Sequence, residues 1–145
     1  MRCMHFPKVH FFFVAVAIFA LVGCVSTITN KLGVSASPAR RAAVARLVKR
    51  FAKREGFDRA PFPDNIPYNG PHLDSARYRH RFDANIILQT VDYIETVQTC
   101  LFETRRFRVD PTDRFSRLDT ALKRDFRENF GTAATFTAET RTSLW

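Results

Sequence analysis

Only three of the 145 residues are cysteines, at positions 3, 24 and 100, and only four are histidines, two of them within the first ten residues. No pair of Cys or His has the spacing of a metal site, and three scattered thiols cannot build a disulfide framework. The five glycines stand singly, so no glycine-rich loop is available to cradle a phosphate. Asp and Glu number 14 against 23 Lys and Arg, and no carboxylate pair is set apart by its spacing. His72 and His80 lie beside no Ser- or Cys-bearing elbow. These shortages favour a non-enzymatic binding or accessory module and leave no cofactor to expect. The remaining enzymatic alternative is a hydrolase using His72 or His80 with an acid brought in by the fold.

Long apolar runs are also scarce. The one present, "FFFVAVAIFALVGC" at residues 11–24, falls short of the ~20 apolar residues that cross a bilayer as a helix. Arg2 and Lys8 precede it with no acid, and Ser, Thr and Asn follow. Basic, apolar, then small is the order of a secretory signal. Its last four residues, Leu21, Val22, Gly23 and Cys24, resemble the lipobox of bacterial lipoproteins. That resemblance covers only the first 24 residues. It implies cleavage between Gly23 and Cys24, acylation of the Cys24 thiol, and a membrane facing the periplasm. Val25, where an Asp would signal inner-membrane retention in many enterobacteria, points to the outer membrane over the inner. The competing readings are an uncleaved short anchor and a buried core helix; the second suffers because the run is apolar all round. An unmodified Cys24 would be free to form a disulfide with Cys100, which otherwise reads as a small buried residue.

Removing residues 1–23 leaves 122 residues and lowers the formal charge from +9 to +7, since Arg2 and Lys8 go with them. That is one domain's worth of chain, long enough to bury an independent core. Residues 24–37, "CVSTITNKLGVSAS", are rich in Ser and Thr and read as a flexible tether. Fully extended it would reach at most ~45 Å. The domain proper then occupies residues 38–145.

The domain opens on a helix. Ser37 suits the cap, Pro38 the first turn and Gly56 the left-handed end, while Val44, Leu47, Val48 and Phe51 recur at i, i+3, i+4 and i+7. Its other faces carry Arg40, Arg41, Arg46, Lys49, Arg50, Lys53 and Arg54 against Glu55 alone. These seven form a candidate contact for anionic lipid or an acidic partner, each cation near a membrane surface being worth about 1 kcal/mol; a solvated helix face is the alternative.

A loop follows with Pro61, Pro63, Pro67 and Pro71, in which Phe62, Tyr68 and His72 either meet a partner or pack onto the body. Residues 83–106 read as a β-hairpin turning at "DYIE", although Ile87, Val91, Ile94 and Leu101 also fit a helical stripe. As one hairpin it would bring Arg79 and Arg81 towards Arg106 and Arg108 in a basic rim, with Asp83 and Glu103 as exposed partners. Alternation in "RYRHRF" puts Arg77, Arg79 and Arg81 on one face and Tyr78, His80 and Phe82 on the other. The spacing matches no nucleic-acid module, and nucleic acid is not an expected partner. A second helix is signalled by Asp110, Pro111 and Gly131 around the stripe Phe115, Leu118, Leu122 and Phe126, and the Thr-rich tail reads as an edge strand.

The expectation is a small two-layer α+β domain: helix, long Pro-rich loop, β-hairpin, helix, edge strand. Its partners would be the membrane, through acylated Cys24, and an envelope protein or anionic lipid.

Overall fold

The computed structural model describes residues 24–63 and 75–144. Two helices cover one face of a six-stranded antiparallel sheet, so the α+β two-layer reading holds. The strands are β1 (Cys24–Ser35), β2 (Phe57–Arg59), β3 (Ala76–His80), β4 (Asp83–Asp92), β5 (Thr96–Arg106) and β6 (Ala134–Leu144), in the order β2-β3-β4-β5-β1-β6. Helix α1 (Pro38–Glu55) lies over β2, β4 and β5, and α2 (Asp113–Phe130) over β1 and β6.

Residues 24–35 are not a linker but β1, paired along its length with β5 on one side and β6 on the other. Ile28, Leu32 and Val34 point into the core at the strand period of two. Ser26 and Asn30 occupy the other inward positions and are buried too, which is why the apolar alternation is broken in the sequence. Thr and Val are at home on a pleated surface, so the Ser/Thr content belonged to a strand. Gly33 sits where a Cβ would come within 2.8 Å of Thr135 Oγ1, so any larger residue would require the Thr135 side chain to shift. The described fold thus includes the strand Cys24–Ser35 ahead of residue 38.

Helix α1 matches its signals. Ser37 Oγ accepts from the Arg40 N–H at 3.2 Å, and Gly56 has φ 78°. Val44, Leu47, Val48 and Phe51 are all buried. In α2 the stripe Phe115, Leu118, Leu122 and Phe126 is likewise buried, and Gly131 follows with positive φ. Its cap is Thr112, not Asp110: Thr112 Oγ1 accepts from the Phe115 N–H while the Thr112 backbone N–H donates to Glu103 at 2.8 Å. A partner nine residues away moved the helix start, and Asp110 stays exposed.

Residues 83–106 form the hairpin β4–β5 with its turn at 93–95. The chain also reverses at Arg81 and Phe82, which folds β3 back beside β4. Arg79 therefore lies opposite Ile87, and Arg81 pairs with Asp58 at 2.8 Å. The expected rim of Arg79, Arg81, Arg106 and Arg108 at the mouth of one hairpin is replaced by this extra turn. Tyr78 and His80 face the core as the alternation requires, but Phe82, in the turn, is 73% exposed. Of the proline loop, residues 61–63 are described, and Tyr68, His72, Pro67 and Pro71 lie outside the described residues.

Candidate functional site: the Cys24 end of the sheet

Antiparallel pairing gathers several chain segments at one end of the sheet. Cys24 starts β1 there, level with Leu144 of β6, and Val25 stands opposite Arg106 of β5. The Arg81–Phe82 turn belongs to the same end, because Asp83 beside it pairs with Arg105. Arg81 donates its backbone N–H to the Gly56 carbonyl, so the C-terminus of α1 also arrives here.

Cys24 is exposed and its thiol is free. Its carbonyl accepts the Phe107 N–H at 3.0 Å, which ties it to the loop 107–112 joining β5 to α2. Phe107 has φ 57°, a left-handed conformation that a bulky residue rarely adopts. Its side chain is 72% exposed, and Val109 follows at 62%. The loop is braced from within: Arg108 donates to the carbonyls of Asp110 and Pro111.

Beneath it lies Glu103, fully buried. Its carboxylate accepts from the Thr112 N–H, the Thr112 hydroxyl and Arg105 Nε, the kind of satisfaction that a buried charge demands. Arg105 bridges onward to Asp83. Burial pushes the Asp83 carboxyl up, but hydrogen bonds from the Asn85 backbone and from Arg105 outweigh it and hold Asp83 below the ordinary carboxylate value. In place of the expected exposed pairing with the rim arginines, Asp83 and Glu103 both meet Arg105, with Arg114 also near Asp83, and neither carboxylate is exposed. No local pattern marked Arg105, which became a hub only through strand register.

The seven cations of α1 divide into two sets. Arg41 reaches the Asp92 carboxylate at 2.9 Å and the carbonyls of Tyr93 and Ile94, and Arg54 pairs with Glu55 and Asp125. Arg40 bonds Ser35. Arg46, Lys49, Arg50 and Lys53 are exposed with no ion pair among the described residues. At spacing i, i+3, i+4, i+7 they form one stripe opposite the buried stripe, with Lys49 at its margin towards β3 and Arg50 at its margin towards α2.

The chemistry proposed for His80 finds little room, and His72 lies outside the described residues. His80 is buried, Nδ1 accepting the Phe82 N–H and the ring meeting the edge of Phe57; burial holds its pKa below the ordinary value. Cys100 is also buried, and its thiol is pushed up to about 11, the reverse of an activated nucleophile. It stands opposite Lys31, seven residues along β1 from Cys24, or about 23 Å at strand rise; a Cys24–Cys100 disulfide is out of reach. Among the described residues no three His, Cys, Asp or Glu side chains converge on a metal site, and no helix is long and apolar enough to cross a membrane. A recess of about 200 Å³ between α1 and β3 is lined by Lys49, Arg59, Ser75, Tyr78 and Thr90, with no carboxylate, histidine or cysteine among them.

No known protein family matches the sequence, and no curated protein matches it. Among solved structures the chain is similar to the de novo designed protein Foldit4, at 12% identity over 82% of this chain and 96% of that one, with a TM-score of 0.39.

Proposed function

We propose that this chain is a lipid-anchored lipoprotein of the bacterial envelope, serving as a non-enzymatic binding or accessory module. The observation that carries the reading is the sequence Leu21-Val22-Gly23-Cys24, whose cysteine is the exposed first residue of β1. Acylation needs an accessible thiol, and Cys24 supplies one at the margin of the sheet. On this reading the protein faces the periplasm, with Val25 favouring the outer membrane. Buried His80 and Cys100 weigh against the hydrolase alternative.

The exposed stripe Arg46, Lys49, Arg50 and Lys53 is the part of α1 open to an acidic protein or anionic lipid. Arg40, Arg41 and Arg54 of the same helix also have partners within the fold, respectively Ser35, Asp92 and Asp125.

The test is the intact mass of protein extracted from membranes beside that of a Cys24→Ser variant. The expected mass is that of residues 24–145 plus acyl chains, lost in the variant. An uncleaved, unacylated chain would overturn the proposal.

A further inference from the structure

We infer that Phe82, Phe107 and Val109 form a seat that presses the domain against the bilayer interface, a second attachment beside the acyl chains on Cys24. The inference rests on the reading that Cys24 is acylated.

Three observations lead there. The first is composition: five large apolar side chains are prominently exposed among the described residues, and Phe82, Phe107 and Val109 all lie at the Cys24 end. Exposed apolar groups gathered in one place mark an interaction surface more often than single ones do. The second is construction. The loop bearing Phe107 and Val109 is pinned at its start by the Phe107 N–H on the Cys24 carbonyl and at its end by Thr112 on buried Glu103, with Arg108 bracing it between. A phenylalanine with φ 57° is a strained choice for a loop with nothing to present. The third is reach. Because β1 begins at Cys24 itself, no linker separates an acyl chain on that residue from the sheet, and the Cys24 end is held within a side chain's length of the lipid.

The occupant follows from chemistry. Aromatic and branched side chains interleaved with cations suit the headgroup boundary, where rings enter the acyl margin and guanidinium groups meet phosphates. Arg106 precedes Phe107 and Arg141 near the end of β6 is 83% exposed; Arg81 beside Phe82 and Arg108 beside Phe107 add charge to the same end while serving Asp58 and the loop carbonyls. Asp110 and Asp113, exposed beyond Val109, set the limit of the seat towards α2. The stripe on α1 climbs from this end, leaving only Lys53 close to the lipid.

The experiment uses the full chain, matured in cells and reconstituted into vesicles of phosphatidylethanolamine and phosphatidylglycerol, with plain or brominated acyl chains. Phe107→Trp, Val109→Trp and Ile94→Trp are compared on a Trp145→Phe background, Ile94 reporting the opposite end of the sheet. Phe107→Trp and Val109→Trp should each lose most of their emission in brominated lipid and emit at shorter wavelength, while Ile94→Trp stays unchanged. If the acylated Phe107→Trp and Val109→Trp variants emit equally in both lipids, the seat alone is overturned, and a protein partner or second copy would then cover these residues. A chain without acyl chains by mass overturns the anchoring and the seat together.

Discussion

The sheet has two ends about 33 Å apart, the length of β5 at strand rise, and both expose large apolar side chains. At one stand Tyr93 and Ile94, at the other Phe82, Phe107 and Val109. Yet the ends are built differently. The Tyr93 turn is an ordinary hairpin tip whose carbonyls and neighbouring Asp92 are gathered by Arg41, itself a quarter exposed. The Cys24 end rests on Glu103, which is wholly buried and serves Thr112 and Arg105 at once. Exposure alone does not separate a loop tip from a surface with work to do. Both ends hold a buried carboxylate, Asp92 at one and Glu103 at the other, and Glu103 in addition anchors the cap of α2.

That contrast can be broken most directly at its two carboxylates. Glu103→Ala leaves the Thr112 N–H and hydroxyl without their acceptor, takes one of two carboxylates from Arg105 and removes the anchor of the α2 cap, and should cost about 3–5 kcal/mol. Asp92→Ala frees an arginine that can turn to water, and should cost about 1–3 kcal/mol. Urea unfolding of the two variants measures both. Equal costs, or a larger one for Asp92→Ala, would mean that the Cys24 end is no more heavily built than the hairpin tip.

The strand that connects the ends is a second point of attack. Leu32 is fully buried in β1, and Leu32→Ala should lower stability by about 3 kcal/mol with an unchanged urea slope. A flexible tether at residues 24–37 would make the same change silent. A silent result would also dissolve the fixed relation between Cys24 and Phe107 on which the comparison depends.

The parts of this fold that were legible in the sequence are those with local causes. Ser37, Pro38 and Gly56 bracket α1, and the stripes Val44 to Phe51 and Phe115 to Phe126 face the core, because capping and helical period act within a few residues. The β4–β5 hairpin was legible for the same reason. What stayed hidden depends on residues far apart in the chain. β1 has its partners about 70 and 110 residues away, and buried Ser26 and Asn30 break the pattern that would have marked it. The α2 start moved to Thr112 because of Glu103, and Arg105 became a hub because register brought Asp83 beside it. Of the candidate site, Cys24 was visible in the sequence; Phe107 and Val109 were not, since their exposure is set by the loop geometry.

The smallest expected effect sharpens the comparison by pH. Asp83 belongs to the Cys24 end, and its folded carboxyl titrates below the ordinary value: burial opposes the charge, but the Asn85 backbone and Arg105 prevail. A carboxyl depressed by folding binds fewer protons in the native state than in the unfolded one. Its contribution is therefore present in full above the unfolded pKa, 3.8 for a free Asp, and is lost as pH falls through the lower folded value. Asp83→Asn should cost about 1 kcal/mol at neutral pH, since Arg105 keeps Glu103. The variant and the parent should converge as the solution is acidified below pH 3.8. The readout is urea midpoint against pH for both proteins. A gap that persisted unchanged into acid would mean that the lost group acts through packing and not through its charge, and the ionic brace under the Cys24 end would then reduce to Glu103 alone.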